Sequence, residues 1–404
     1  MTTDNQHIPS GYKPSPLGII PEDWEVKRLG EVCTFHNGRA YSQKELLSSG
    51  KYRVLRVGNF FTNSSWYWSD MELEDDKYAN EGDLLYAWSA SFGPRFWEGE
   101  RVIYHYHIWK IDSFNKISKD FLYSFLLYDA TKLTNTLQGG TMTHVTKENM
   151  EKRSIAVPPL PEQQRIVSLL SLWDTAIAKQ ITLIEQLTLR KRGLMQQLLT
   201  GKKRLKGFKG KWEKCSIKSF AKEVSIKNTR NKDYVVLSCT KYDGLVPSLE
   251  YFGKQIYSND LSTYKVVPKN HFAYATNHIE EGSIGYQAYY NNGLISPMYT
   301  VFETDKEKID DTYLFAVLKS HHLIYLYQAM MEGSINRRGG LRWDSFSTIK
   351  VDLPSIEEQK AISTFFQNAD KEIEIQKQKL AALQEQKKGL MQVLLTGKKR
   401  IISI

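Results

Sequence analysis

The strongest constraint on the fold is a long segment that the chain contains twice. Residues 158–204 and 354–400 align without a gap, and 20 of these 47 positions are identical. The copies end in similar runs, LRKRGLMQQLLTGKKRL from residue 189 and EQKKGLMQVLLTGKKRI from residue 385. Similarity of this extent indicates an internal duplication, so we expect two copies of one structural plan.

Each copy has the pattern of a long helix. Apolar residues recur at alternating steps of four and three, which keeps one stripe facing a partner helix. Both stripes are interrupted at the same places by polar residues, namely Gln180 and Gln376, and Lys191 and Lys387. Polar residues in a helix–helix seam cost stability but fix its register. We therefore predict that the two helices pack on each other and that these four residues hold their register.

The ends of both helices carry recognisable signals. The first copy has Pro161 near its first turn, and the second has Ser355 with Glu358 as a candidate capping box. Each copy closes on a glycine, Gly201 or Gly397, followed by Lys-Lys-Arg, which is typical of a helix C-terminus. The first helix leads into the region that the second helix follows, so an antiparallel pair needs no long return path.

The regions between the helices contain short strand patterns. Residues 54–57, 84–88 and 102–111 are rich in β-branched and aromatic residues, and a helical pattern follows at 119–131. The second region resembles the first faintly. Residues 272–275 correspond to 84–87, and residues 311–318 correspond to 120–127. We predict an α+β fold in which two globular α/β domains, 1–157 and 205–353, alternate with helices at 158–204 and 354–404. We expect the helices to form an antiparallel coiled coil and the whole chain to be a pseudo-two-fold repeat.

Bulk properties narrow the class of protein. The net charge of +10 is compatible with a polyanionic partner, nucleic acid first and a membrane surface second. No apolar run approaches the roughly 20 residues of a spanning helix, and the N-terminus lacks a signal-peptide pattern. Three cysteines are few and odd in number, which fits a reducing cytoplasm and excludes a disulfide framework.

Three motifs give the chain a family resemblance that covers nearly its whole length. They are the opening run from Tyr12 to Glu25 with GIIPEDWE, the PPLPEQ run from Pro158, and the doubled LLTGKKR. In these the chain resembles the specificity subunits of type I restriction–modification systems. It departs at the second helix start, where residues 353–359 keep only Pro354.

The resemblance implies function and partners. It implies that two target-recognition domains each read half of a split double-stranded DNA target. It also implies docking of two methyltransferase subunits, and of restriction subunits in the full complex. The chain itself would need no cofactor, since S-adenosylmethionine, ATP and Mg²⁺ would be held by the partners.

Candidate DNA-contacting residues are those that can hydrogen-bond to base edges from loops between strands. We predict four such loops, at 88–95, 139–144, 276–278 and 336–342. The last has three arginines beside two glycines, which would let its backbone approach a phosphate closely. The candidates in the first domain are Ser89, Ser91, Arg95, Gly140, Thr141, Thr143 and His144, and those in the second are Thr276, Asn277, His278, Arg337, Arg338, Gly339 and Arg342.

No catalytic or metal-binding motif emerges. An Asn-Pro-Pro-Tyr motif for amino methylation and a phosphate-binding GxxxxGK[ST] loop are both absent. The Glu-x-Lys triplets at 358–360 and 385–387 are interpreted as solvated helix charges. His105 and His107 could share one strand face, but without a third ligand nearby an ordinary strand is favoured over a metal site.

We therefore expect a non-enzymatic DNA-recognition subunit. Residues repeated outside the apolar stripe, such as Gly193, Gln196 and Thr200, would be explained by two identical partners, or by descent from a recent duplication. Two other classes stay open: a nuclease or methyltransferase in its own right, and a coiled-coil scaffold that binds protein without reading DNA.

Overall fold

A computed structural model of the chain describes residues 8–61, 64–89, 91–137, 145–230, 232–332 and 340–401. Contacts between residues divide the chain into two compact units. Unit 1 comprises Met1–Ile181 and Gln378–Ile404, and unit 2 comprises Thr182–Lys377. Each unit therefore combines one globular region with parts of both repeated segments.

The elements of the first half of the chain lead into the first repeated segment. The strands are β1 (Tyr12–Ser15), β2 (Gly18–Pro21), β3 (Glu25–Arg28), β4 (Thr34–Asn37), β5 (Tyr52–Leu55), β6 (Tyr67–Ser69), β7 (Tyr78–Ala79), β8 (Leu84–Ser89), β9 (Ser91–Phe96), β10 (Val102–Tyr104), β11 (Ile108–Asp112) and β12 (Ser154–Val157). The helices are α1 (Leu29–Val32), α2 (Val57–Phe61), α3 (Lys119–Leu137), α4 (Lys147–Glu151) and α5 (Leu160–Leu198).

The elements of the second half follow a similar sequence. The strands are β13 (Glu213–Ser216), β14 (Ala221–Val224), β15 (Val235–Thr240), β16 (Gly244–Pro247), β17 (Lys265–Pro268), β18 (His271–Ala275), β19 (Ile284–Gln287), β20 (Asn292–Ile295), β21 (Tyr299–Thr304) and β22 (Lys350–Leu353). The helices are α6 (Ser248–Phe252), α7 (Asp311–Leu318), α8 (His321–Glu332), α9 (Trp343–Phe346) and α10 (Ile356–Leu394).

The two globular regions share one sheet topology. Unit 1 has sheets of order β6-β5-β10-β7 and β4-β11-β8-β9, and unit 2 has β16-β15-β20-β17 and β14-β21-β18-β19. Each first sheet contains one parallel pair at the same place, β5 with β10 and β15 with β20. A two-stranded ribbon completes each region, β3 with β12 and β13 with β22. The faint internal similarity of the sequence is thus a duplicated fold, as predicted.

Aromatic side chains fill the core of each unit. Trp24, Tyr86 and Phe121 are fully buried in unit 1, and Tyr274 and Phe302 are fully buried in unit 2. Burying one large apolar side chain stabilises a fold by about 1.5–3 kcal/mol. Tyr86 on β8 and Tyr274 on β18 occupy equivalent positions, and each is buried in a core that includes a helix of its own unit.

The long helices α5 and α10 pack antiparallel within each unit. In unit 1, Ile166 and Leu170 near the start of α5 share a core with Met391 and Leu394 near the end of α10. In unit 2, Leu198 near the end of α5 shares a core with Ile362 and Phe366 near the start of α10. Residue numbers therefore rise along one helix as they fall along its neighbour, which confirms the predicted antiparallel arrangement.

Ion pairs and a buried amide lie at the predicted register positions. In unit 1, Lys387 contacts Asp174 at 2.5 Å, and in unit 2, Lys191 contacts Asp370. The two pairs are equivalent, because each joins the same two repeated positions. Gln180 is 6% exposed, so it is a buried polar residue in unit 1. These contacts support the register role, which stays a prediction.

The repeated Thr-Gly-Lys-Lys-Arg after each long helix packs against the same kind of site in both units, which we call the junction: a tryptophan near the start of the globular region and a glutamate near the start of the other long helix. In unit 1, Gly397 has a φ of +71°, and a Cβ added to it would lie 3.2 Å from the ring of Trp24. In unit 2, Gly201 has a φ of +67°, and a Cβ added to it would lie 3.4 Å from the ring of Trp212. A side chain at either glycine would be strained by the positive φ, which explains why this residue stands in both copies.

An arginine and a buried glutamate complete each junction. Arg400 contacts Glu162 at 2.6 Å, and Arg204 Nε donates to Glu358 at 2.5 Å. The side chains of Glu162 and Glu358 are 2% and 1% exposed. The interpretation of the triplet at 358–360 as solvated charge was therefore wrong at Glu358. Since Glu358 turns to Arg204, the capping box is also incomplete, and only the Ser355 hydroxyl accepts from the helix, at 3.4 Å from the Glu358 nitrogen.

Two strand predictions in the first region need correction. Residues 102–111 form two strands, β10 and β11, which belong to different sheets. His105 and His107 thus lie in a turn between strands, and the turn is held by long-range hydrogen bonds that no local pattern reveals. Residues 88–95 are mostly a hairpin of β8 and β9, and not a loop. Pro94 fits there because β9 is an edge strand, where a missing N–H costs no ladder hydrogen bond.

Helix α5 is long and apolar enough, by length and composition alone, to cross a membrane. Within unit 1, however, its Ile166 and Leu170 are buried in the core. Only 17% of its most apolar window is buried inside the chain. Leu172 and Leu189, for example, are 66% and 63% exposed. Helix α5, which contributes residues to both units, therefore also presents apolar side chains outside their cores.

Candidate nucleic-acid interface

A polar cleft lies in unit 2 where β18 ends. Beyond Ala275 the chain turns at Thr276, whose hydroxyl donates to the Met298 carbonyl at 3.0 Å. The Leu341 nitrogen donates to the Thr276 carbonyl at 2.8 Å. These bonds bring the end of β18, the β20–β21 turn and the start of α9 around a cleft of about 440 Å³. Its lining residues are Glu223, Lys265, Thr276, Asn277, Pro297, Met298, Tyr299, Thr300, Arg342, Trp343 and Asp344.

Packing of aromatic side chains between α9 and the strands β18 and β21 forms the base of the cleft. Phe302 on β21 lies 5.4 Å from the ring of Trp343, and Tyr274 on β18 lies 4.6 Å from the ring of Phe346. These contacts seat α9 on the sheet. Arg342 immediately precedes α9 and is exposed, so its guanidinium stands at the rim of the cleft. Gly340 passes so close to Asn277 and Thr276 that a Cβ there would collide with them.

The cleft offers both donors and acceptors. Arg342 can donate, Asp344 and the Thr276 hydroxyl oxygen can accept, and the Asn277 amide can do both. Lys265 donates from Nζ to the Tyr299 carbonyl at 2.6 Å, and burial lowers the pKa of its ammonium. Groups of these types, held on a rigid floor, can distinguish the edges of DNA bases.

The structure brings together three of the predicted residues of unit 2. Thr276, Asn277 and Arg342 all line the cleft. His278 lies beside it, 3.6 Å from Glu281, and its ligand atoms and those of Glu280 and Glu281 lie within 4.8 Å of one another. This group could hold a metal ion, although two of its side chains are exposed. The remaining candidates, Arg337, Arg338 and Gly339, lie outside the described residues.

The predicted residues of unit 1 are less concentrated. Ser89 ends β8 and is only 9% exposed. Ser91 pairs with it across the hairpin. Arg95 is exposed on β9, with its guanidinium 5.4 Å from the ring centre of Phe61. The loop candidates Gly140, Thr141, Thr143 and His144 lie outside the described residues.

Sequence reasoning missed a turn in unit 1, at residues 105–107 between β10 and β11. It is equivalent to the turn at residues 296–298 between β20 and β21 in unit 2. Ala87 of β8 pairs with Ile108 of β11, as Ala275 of β18 pairs with Tyr299 of β21. The following residue, Trp88, donates from Nε1 to the Tyr106 carbonyl at 2.9 Å, as Thr276 donates to Met298. Ser296-Pro297 is a turn signal in the second half of the sequence. Aligning the first half with the second at this point could have located the turn at 105–107.

Comparison with known proteins gives a consistent picture. The family model described as "Type I restriction modification DNA specificity domain" matches the chain twice, at residues 21–189 and 209–385. The chain is 27% identical to the type I restriction enzyme MjaVIII specificity subunit of Methanocaldococcus jannaschii, over 95% of this chain and 94% of the relative. It is 26% identical to the putative MjaX specificity subunit of the same organism, over 96% and 97%.

Solved structures show the same fold. A chain from a study of complex assembly and conformational transition of the type I R-M system matches with a TM-score of 0.60, 14% identity, and coverage of 94% of this chain and 99% of that chain. The HsdS subunit from Thermoanaerobacter tengcongensis matches with a TM-score of 0.54, 15% identity, and coverage of 94% and 98%. With the two family matches spanning most of its length, the chain belongs to the type I restriction–modification DNA specificity family.

Proposed function

We propose that the chain is the non-catalytic DNA-recognition subunit of a type I restriction–modification complex. Each unit would read one half of a bipartite target, and the long helices would set the spacing and bind two methyltransferase subunits. Those partners would supply catalysis, S-adenosylmethionine, ATP and Mg²⁺, with restriction subunits joining the full complex. A cytoplasmic location follows from this role and agrees with the three free cysteines.

The observation that supports the proposal most directly is that the two units share one fold but carry different side chains at one equivalent turn. Both units hold a turn between strands against the end of a central strand by the same kind of side-chain bond. In unit 1 the turn carries His105, Tyr106 and His107, and in unit 2 it carries Pro297 and Met298. Two domains that recognise different half-sites need the same backbone arrangement with different side chains facing the bases.

Partner docking is supported by a second duplicated surface. Repeated residues of the two segments, in and just after the helices, stay exposed outside the seam, namely Gly193, Gln196, Lys202 and Lys203 in the first copy and Gly389, Gln392, Lys398 and Lys399 in the second. In unit 2 this surface borders a groove of about 600 Å³ against the α7–α8 junction and β22. The arginine of the repeat belongs to the buried junctions instead, so the partner face consists of the residues before it.

A map of methylated sites in a host that expresses the chain with its methyltransferase tests the proposal. We expect two specified half-sites separated by a gap of fixed length and free sequence. Two further measurements separate the rival classes. Turnover by the purified chain alone, with DNA and S-adenosylmethionine or Mg²⁺, would indicate an enzyme. Absence of a salt-dependent shift of duplex DNA by the partnered complex would indicate a protein-binding scaffold.

A further inference from the structure

The turn between β10 and β11 carries three rings in contact. The ring centres of His105 and Tyr106 lie 4.4 Å apart, and those of Tyr106 and His107 lie 3.9 Å apart. Trp88 packs edge-on against His107 at 5.0 Å. Tyr106 is 39% exposed, although Tyr104 before it and Ile108 after it are fully buried. The turn thus lifts aromatic and imidazole groups out of the core to the surface.

Backbone bonds from distant residues hold this turn rigidly. The His105 nitrogen donates to the Leu55 carbonyl at 2.9 Å, and the Tyr106 nitrogen donates to the Arg39 carbonyl at 3.0 Å. Gly38 runs so close to the His105 carbonyl that any side chain there would collide with it. A turn fixed by β5 and by the segment that follows β4 presents its side chains in one orientation, which sequence reading requires.

The chemistry of the turn suits recognition of base edges. Burial lowers the pKa of His105 to about 4, with His107 and Arg56 acting in the same direction, so His105 is neutral near pH 7. Its Nδ1 accepts from the His107 nitrogen at 3.5 Å, which favours a proton on Nε2. The Tyr106 hydroxyl can both donate and accept. Arg56 is exposed nearby, 5.0 Å from the ring centre of Tyr67, and adds positive charge.

We propose that Tyr106 and His107 contact base edges in the half-site that unit 1 reads, with Arg56 positioned beside them toward a phosphate. This inference rests on the proposed function and assigns its residues in unit 1. In the register of the two sheets, His107 corresponds to Met298 of unit 2, which is 62% exposed and could meet only apolar groups such as a thymine methyl. The two turns would therefore read different bases from equivalent places.

The test uses the complex with its methyltransferase and a map of methylated sites. Tyr106→Phe removes one hydroxyl and keeps the ring, and His107→Gln keeps hydrogen-bonding capacity at smaller size. Each should reduce discrimination at one base pair of one half-site by at least about fivefold, the lower end for a good side-chain-to-base contact. The half-site is assigned to unit 1 by exchanging residues 1–155 for those of a relative. The other half-site should be unchanged.

Tyr52→Phe is the matched control, because the Tyr52 hydroxyl is engaged by Glu72 at 3.1 Å. Methylation by both variants with unchanged sequence preference would overturn the inference and leave the proposed function intact. Uniform weakening at all sites would also overturn it, since it marks phosphate contacts. A wild-type map without a bipartite pattern would instead refute the proposed function.

Discussion

At the scale of single residues, one arginine after each long helix joins that helix to the start of the other. Arg400 bonds to Glu162 and to Asp23, at 2.6 and 2.7 Å, and the Trp24 indole donates to the same glutamate at 3.1 Å. Hydrogen bonding to Glu162 raises the pKa of Arg400 above its usual range, so the guanidinium stays charged. A buried glutamate of this kind depends on its arginine, because a lone charge in a core is costly.

Removal of either arginine should destabilise its own unit. We expect Arg400→Met or Arg204→Met to lower the free energy of unfolding by about 3 kcal/mol, since each leaves a buried carboxylate unpaired. Denaturant unfolding with hydrogen exchange, which locates the loss in one unit, is the measurement. Lys203→Met, at an exposed neighbour, is the control and should change stability by less than about 0.5 kcal/mol. Adding Glu162→Gln to Arg400→Met should restore part of the loss; a further loss would contradict the account.

Arg342 provides the residue-scale test in unit 2. If its guanidinium forms a bidentate contact with guanine, Arg342→Ala should cost roughly 1–3 kcal/mol and relax one position of one half-site. Binding of the partnered complex to a panel of single-base variants measures both effects. Lys254→Ala, at an exposed position that does not line the cleft, serves as the control. Equal weakening on every sequence would show a phosphate contact, and no change would remove Arg342 from the interface.

At the scale of elements, the long helices could be predicted because their pattern is local and repeated. The predicted segment 158–204 begins two residues before α5 and ends six residues after it, at the end of the repeated Thr-Gly-Lys-Lys-Arg. The strand at 102–111 could not be divided correctly, because no Gly or Pro marks the turn at 105–107. That turn depends on Arg39 and Leu55, which are remote in sequence. The partner of Glu358 was hidden for the same reason, since Arg204 lies 154 residues away.

Substitution of the exposed glycines of the long helices distinguishes an effect on stability from an effect on partner binding. Apart from the helix's own backbone, no atom of the described residues lies within 4 Å of a Cβ built on Gly193 or Gly389. Gly193→Ala with Gly389→Ala should therefore stabilise the helices, by about 0.5–1 kcal/mol at each site. If the methyltransferase contacts this face closely, the same variant should bind it less tightly. Calorimetric titration of the partner and thermal unfolding measure the two effects, with Ala381→Gly, on an exposed part of α10, as the reverse control for stability. Unchanged partner affinity would remove the glycine face from the docking surface.

At the scale of the whole molecule, we predict that the helices determine the length of the unread spacer. Each is 39 residues long, or about 58 Å at about 1.5 Å per residue. One heptad inserted between Ile181 and Thr182 and another between Lys377 and Gln378 leaves the contacts within each unit intact and the apolar stripe in phase. Each adds about 10 Å, so the methylated sites should keep both half-sites and gain about three base pairs of spacer. Two-residue insertions, which rotate the stripe by about 200° and so break it, are the control and should impair assembly. Retention of the original spacer would falsify the spacing role.

The most direct test of the central claim, that two units read two half-sites independently, is an exchange of one domain. Residues 1–155 are replaced by the matching region of a relative with a different target, and methylated sites are mapped in a host with the methyltransferase. The account predicts that one half-site changes to that of the relative, while the other half-site and the spacer stay as in the wild type. A change in both half-sites, or in neither, would contradict independent reading by the two units.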